Sequence, residues 1–163
     1  YISFWTALRF YNVTDQLPLW VMIASKKHRK EINLFNTRIK FYKMKYLWGY
    51  RKIRYGDFDI FIAELEKSII DSVASGLVPL SEIASVLTNE EINTAKLKEF
   101  AIKTGSKSLI KRIGFLLDKI RVNADEMLKY IDYNYIMLDI NGRSSGDKNK
   151  KWRIIDNLNH DFT

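Results

Sequence analysis

Residues 37–63, TRIKFYKMKYLWGYRKIRYGDFDIFIA, decide the fold class of this chain. Ranges 37–41 and 51–55 alternate between apolar and basic side chains, which is the two-residue period of a β-strand. Gly56-Asp57 is a turn signal, and 58–63 is rich in residues that favour strands. We therefore predict a small, mostly antiparallel sheet. In its first strand the alternation places Ile39 and Phe41 on one face, and sends Arg38 and Lys40 outward together on the other.

Helical patterns flank this sheet. A 3.6-residue apolar period over Ser3–Tyr11 predicts an N-terminal helix with Ser3 as its N-cap, and the apolar run Leu19–Ala24 predicts a buried strand. From Glu64 the apolar period is helical. The fold class we expect is α+β, with a C-terminal strand that returns to the sheet. The expected organisation is a single domain, residues 1–163, in which a sheet-rich region (residues 1–63) is followed by a helical cluster (residues 64–131) and C-terminal strands (residues 132–163).

One predicted helix has a glycine in its interior. Ser106 is expected to cap an amphipathic helix that runs to Ile120, and Gly114 lies within it. A helical glycine costs about 1 kcal/mol relative to alanine. We therefore expect another segment of the chain to pack closely against Gly114.

Positive charge is concentrated in residues 26–54. These 29 residues contain eleven Lys or Arg and one acid, Glu31, so they carry +10, whereas the whole chain carries +8 and the other 134 residues total −2. One interpretation is a surface that binds nucleic-acid phosphates, on which Tyr42 or Trp48 stacks with bases, although Phe41 and Trp48 are also candidates for the core. The other is a solvated strand face whose lysines prevent aggregation. The charge imbalance favours an anionic partner. The candidate phosphate-binding residues are Lys26, Lys27, Arg29, Lys30, Arg38, Lys40, Lys43, Lys45, Arg51, Lys52 and Arg54.

A second basic cluster lies near the C-terminus. The polar loop 141–151, NGRSSGDKNKK, has four bases and one acid and is followed by the predicted strand 152–155, which contains a fifth base, Arg153. If this strand joined the first sheet, the two basic clusters would form one face; a mobile, solvated loop is the alternative. The candidate residues here are Arg143, Lys148, Lys150, Lys151 and Arg153.

Composition restricts the possible functions. The chain has no cysteine, which excludes disulfides, thiolate zinc sites and a cysteine nucleophile and fits the cytoplasm. Its longest apolar runs fall short of the roughly 18 residues of a membrane span, so we expect no membrane partner. His28 lies among four bases, which oppose binding of another cation, and neither His28 nor His160 has an obvious Ser, Asp or Cys partner with which to form a catalytic triad. We expect no cofactor, metal or small-molecule substrate.

A nuclease is the enzymatic alternative. Metal-dependent nucleases hold Mg²⁺ with acidic side chains beside a lysine, and Asp59, Glu64, Glu66 and Lys67 offer these residue types. Their register differs from the Glu-x-Lys set of restriction enzymes. Acids at a helix start also interact favourably with the helix dipole, which explains Glu64 and Glu66 without catalysis.

Four stretches of the sequence, taken in order, carry a family resemblance. They are YISFWTALRFYNVTDQLP from Tyr1, IAELEKSIID from Ile62, SLIKRIGFLL from Ser108 and KKWRIIDNL from Lys150. Together they resemble the C-terminal domain of the AbiEi family, the antitoxins and transcriptional regulators of type IV toxin–antitoxin (abortive infection) systems. The resemblance covers nearly the whole chain, but ELEK at Glu64–Lys67 replaces the Asp-Pro-Glu-Arg-like opening usual in that family.

The resemblance implies a function in gene regulation. It implies an upstream winged helix-turn-helix that binds operator DNA, in keeping with a chain that starts inside a helix pattern, and a non-enzymatic C-terminal domain with antitoxin activity. The implied partners are DNA and a nucleotidyltransferase toxin encoded nearby. The alternatives that remain open are the nuclease-like domain, active or degenerate, and an interaction domain for an acidic protein.

Overall fold

The computed structural model describes residues 1–158 and has the predicted α+β architecture. The chain divides into two compact units, Tyr1–Val78 and the residues from Pro79 onward. The end of the predicted C-terminal region, including His160, lies outside the described residues. The single domain expected from the sequence stays a prediction.

The first unit contains five strands and two helices. These are α1 (Phe4–Phe10), β1 (Val21–Ser25), β2 (Ile32–Leu34), β3 (Thr37–Lys43), β4 (Tyr50–Tyr55), β5 (Phe58–Ala63) and α2 (Leu65–Ser75). β1 and β3 are parallel, whereas β2–β3 and β4–β5 are antiparallel pairs. Ile2 bridges β1 through Ile23 and β5 through Ile62, so it connects the two groups of strands.

The helix α2 belongs to this first unit. It packs against α1 and β5, and its Ile69 and Ile70 are completely buried. It ends at Gly76, whose φ of 68° lies in the left-handed region that favours glycine. The first compact unit therefore includes this helix together with the strands.

The division of β3 into an inner apolar face and an outer basic face is not observed. The register places Lys40 opposite Met22, which is only 4% exposed, and Phe41 opposite Ile23. Paired residues lie on the same face of a sheet, so Lys40 shares the face of a buried methionine. Ile39 and Phe41 lie on the other face, half-buried. The strand period is correct, but period alone does not determine which face is covered.

The hairpin that joins β2 to β3 turns at Phe35-Asn36. Both residues have positive φ, 47° and 62°, as the two central positions of a type I′ turn require. Phe35 is 86% exposed. The sequence contains no clear signal for β2. The strand has only three residues, all of them exposed, and the turn that follows it contains no glycine.

The second unit is a helical cluster with a small sheet of its own. Its elements are α3 (Leu80–Leu87), α4 (Thr94–Lys103), α5 (Lys107–Lys119), a 3-10 helix (Asp125–Tyr130), β6 (Ile136–Met137), β7 (Asp147–Asn149) and β8 (Ile154–Asp156). β8 runs parallel to β6 and antiparallel to β7. The final strand therefore does not return to the first sheet, and β7 lies inside the predicted polar loop. Ser106 caps α5 as predicted: its hydroxyl accepts a hydrogen bond from the backbone N–H of Leu109.

Candidate nucleic-acid interface

Solvent reaches nearly all of the basic side chains between residues 26 and 54. Ten of the eleven residues are exposed, and Lys40 is half-buried. The Lys40 ammonium lies 3.7 Å from the centroid of the Trp20 ring, in a cation–π contact. Exposure of this kind leaves the cations available to a large ligand.

Two carboxylates neutralise some of this charge. Glu31 lies 3.9 Å from Arg38 Nε and 3.9 Å from Lys40 Nζ. Asp59 lies 2.7 Å from Lys52 Nζ and 3.4 Å from Arg54 Nη1. Within residues 1–158 the other seven cations have no carboxylate within 4 Å. These seven, called here the free cations, are Lys26, Lys27, Arg29, Lys30, Lys43, Lys45 and Arg51.

The cations of β4 lie on two faces. Alternation along the strand puts Lys52 and Arg54 on the face of Asp59, which pairs with Arg54 across the hairpin, and puts Arg51 on the other. The Arg51 guanidinium carbon is 6.0 Å from the centroid of the Tyr11 ring. The basic segment is thus exposed but does not form one flat face.

The aromatic residues that the sequence proposed for base stacking contribute to packing. The Tyr42 hydroxyl accepts a 3.0 Å hydrogen bond from the indole N–H of Trp20, and its ring packs edge-on against Phe4. Trp48 is half-buried, with its ring 5.1 Å from the Lys67 ammonium.

A different set of aromatic residues surrounds an open cavity of about 380 Å³ beside the basic segment. We call it the aromatic–basic pocket. Its rings come from Tyr1, Phe41, Tyr50 and Phe61, and its cations are Lys26 and Arg29. Sequence reasoning missed it, because the four rings come from four separate segments that only the strand pairing brings together.

The second basic cluster has internal partners. The Lys151 ammonium lies 2.7 Å from Asp118 and 2.6 Å from Asp125, and hydrogen bonds to these carboxylates raise the pKa of Lys151. Arg153 is half-buried and lies 5.2 Å from the Tyr133 ring. Arg143, Lys148 and Lys150 are exposed. Among residues 1–158, β8 pairs with β6 and β7 and with no strand of the first unit.

One of the nuclease candidates, Lys67, belongs to a buried polar cluster. The Lys67 ammonium donates to Asp71 and, at 2.8 Å, to the Tyr1 hydroxyl. Asp71 also accepts hydrogen bonds from Ser3 at 2.8 Å and from Tyr1 at 2.9 Å. Ser3 precedes α1 at the N-cap position, but its hydroxyl bonds to Asp71 instead of capping the helix. Burial raises the pKa of Asp71 and lowers that of Lys67.

The other nuclease candidates lie elsewhere. Asp59 is on β5 beside Lys52 and Arg54, and Glu66 is buried on α2. Among residues 1–158 no group of three or more His, Asp or Glu side chains is arranged to hold a metal ion. Lys67 is therefore a member of a structural cluster that connects the start of the chain to α2.

None of the helices within residues 1–158 has the length and apolar character needed to cross a membrane. A comparison with models of known protein families finds no match, and a search of curated proteins finds none either.

Proposed function

We propose that this chain is the C-terminal region of an AbiEi-like antitoxin and transcriptional regulator, a non-enzymatic domain that contacts the phosphates of DNA. In this proposal an upstream winged helix reads the operator, and the free cations add contacts that do not depend on sequence. A cytoplasmic location and a nucleotidyltransferase toxin as partner belong to the same proposal.

The observation that carries the proposal is the exposure of the free cations. Seven Lys or Arg side chains of one short segment lack a carboxylate partner among the described residues. Cations that repel each other in this way destabilise a folded chain unless salt or a polyanion screens them. A phosphate backbone supplies that screening along a surface that is not flat.

The family resemblance supports the antitoxin assignment. The first two stretches that carry it meet in the buried cluster, where Tyr1 and Ser3 bind Asp71. The last two meet where Trp152 packs against Gly114. The residues behind the resemblance are thus among those that hold each unit together.

No specific observation favours either alternative, the nuclease-like domain or the interaction domain for an acidic protein. Lys67 is 0% exposed and paired with Asp71, whereas Asp59 pairs with Lys52 and Arg54. An acidic protein would bind the same cations as DNA. Competition between an acidic polypeptide and an oligonucleotide for the chain distinguishes these two kinds of partner.

Charge reversal tests the proposal directly. Fluorescence anisotropy with a labelled DNA duplex should show a large loss of affinity for the triple variant Lys27→Glu, Lys30→Glu, Lys45→Glu. The matched control, Lys103→Glu, Arg121→Glu, Lys129→Glu, makes the same change in net charge at exposed positions of the second unit. Equal losses in the two variants would show that net charge, and not this surface, governs binding.

The antitoxin activity has its own test. The gene next to the one encoding this chain should encode a nucleotidyltransferase, and co-expression with the full-length regulator should relieve the growth arrest that this enzyme causes. An unrelieved arrest would contradict the antitoxin assignment and leave DNA binding to be judged on its own.

A further inference from the structure

The aromatic–basic pocket combines size, rings and charge in one concave site. Its volume of about 380 Å³ lies at the small end of the roughly 300–1,000 Å³ found for ligand sites. The pocket is open to solvent, and Tyr50 and Phe61 within it are 43% and 51% exposed. Two half-exposed rings beside each other in one concave site form an apolar patch, and such patches mark ligand-binding grooves more often than singly exposed rings do.

The rings are held in fixed positions relative to one another. Tyr1 stacks on Tyr50 with centroids 4.6 Å apart and planes 14° apart, and its hydroxyl is anchored by Asp71. Phe61 stands almost perpendicular to Tyr50, at 85° and 6.0 Å. Phe61 lines the pocket and is 51% exposed, so part of its ring face is open to solvent. Such a face is what a planar ligand stacks upon.

Two cations complete the pocket. The Arg29 guanidinium carbon lies 5.9 Å from the Phe41 centroid, and Lys26 follows the end of β1 in the same lining. Both are free cations, so neither is neutralised by a carboxylate within the described residues. A ligand with a planar apolar portion and an attached anion would match both features at once.

We propose that this pocket binds an unpaired base of single-stranded nucleic acid, with Phe61 as the stacking platform and Lys26 and Arg29 on the adjoining phosphates. This inference rests on the proposed nucleic-acid-binding function and adds a preference for a strand whose bases are free. Proteins that bind single strands combine aromatic platforms with a basic groove, and every base offers a π-face. Bases in a duplex are stacked on each other and do not enter a pocket unless they are flipped out.

The test uses a single-stranded oligonucleotide that carries one 2-aminopurine, whose fluorescence changes when it stacks on a ring. The 163-residue chain should bind it and change that fluorescence. Phe61→Ala should lower the affinity about 5- to 150-fold, the range expected for loss of one base–aromatic stack, and abolish the fluorescence change. Phe61→Trp should retain both, which separates stacking from any effect on folding.

A matched control lies on the same strand. Phe58 is 66% exposed, but alternation along β5 puts it on the face opposite Phe61, so Phe58→Ala should leave binding unchanged. Equal effects of the two alanine variants would overturn the inference. So would competition by polyglutamate as effective as that by the oligonucleotide, which would identify an acidic protein as the partner.

Measurements with duplex DNA separate a failure of this inference from a failure of the proposed phosphate-binding function on which it rests. Salt-dependent binding of a duplex, together with single-strand binding that is the same in the wild type and Phe61→Ala, would overturn the pocket assignment alone. Absence of binding to both duplex and single strand would overturn the proposed function as well.

Discussion

Trp152 packs directly on Gly114: a Cβ atom built on this glycine would lie 2.2 Å from Cζ3 of the indole. Trp152 is completely buried. The contact confirms that a neighbour approaches the glycine in α5, and it connects that helix to the segment preceding β8.

Gly114→Ala should therefore destabilise the chain by up to about 2 kcal/mol in net terms, because an overpacking cost of about 1–3 kcal/mol is offset by about 1 kcal/mol of helix propensity. The added methyl displaces a ring that has no free space. Urea denaturation measures the loss. Combining the change with Trp152→Leu should give a smaller total loss than the two single losses added together. Strict additivity would contradict the contact.

Removing one member of the Lys67–Asp71 pair should be costly. Both side chains are 0% exposed, and a buried charge left without its partner costs about 3–5 kcal/mol. Lys67→Met and Asp71→Leu are each expected to lose that much, whereas the double variant should lose much less than the sum. The measurement is a double-mutant cycle by chemical denaturation.

The exposed pair Lys52–Asp59 is the matched control for this cycle. Its side chains are 58% and 44% exposed, so its coupling energy should stay within about 0.2–1 kcal/mol. Similar coupling energies for the two pairs would show that burial does not set the strength of the Lys67–Asp71 interaction.

The free energy of unfolding should depend on pH because of Asp132. A hydrogen bond from the buried Lys111 ammonium, at 2.5 Å, holds the pKa of Asp132 below its ordinary 3.8. Because the pKa is depressed in the folded state, the contribution is complete above pH 3.8 and is lost as pH falls through the lower folded value. Asp132→Asn should thus be less stable than the wild type at neutral pH, and the difference should shrink in acid.

The control for this prediction is Asp57→Asn in the turn between β4 and β5, because Asp57 has no ion pair within residues 1–158. Urea midpoints are measured for this variant and for Asp132→Asn from neutral pH to below 3.8. A constant difference for Asp132→Asn across the same range would contradict the assigned pKa shift.

Much of the fold follows from periodicity. The long elements β3, β4, α2 and α5 were predicted because their apolar residues repeat every two or every three to four positions. β2 and β7 were not predicted, because an element of three residues is too short to show a period. The pairing of β8 with β6 depends on contacts between distant residues, which a local pattern does not encode.

The candidate site shows the same limit. The positive charge of the site can be predicted from the sequence, because it requires only a count of the lysines and arginines between residues 26 and 54. The aromatic–basic pocket cannot, because Tyr1, Phe41 and Phe61 meet only through the strand register and the Ile2 bridges. Likewise, the alternation in the sequence predicts that Lys40 points outward. Only the strand pairing shows that Lys40 lies opposite the buried Met22.

The salt dependence of duplex binding tests the central claim, that the free cations contact phosphates, most directly. The logarithm of the binding constant should fall linearly with the logarithm of salt concentration, with a slope of about −0.9 for each phosphate contacted. In the triple variant Lys27→Gln, Lys30→Gln, Lys45→Gln, the slope should become shallower by about 2.7, that is, three contacts. An affinity that stays constant between about 50 and 200 mM salt, or a slope equal in wild type and variant, would contradict the account.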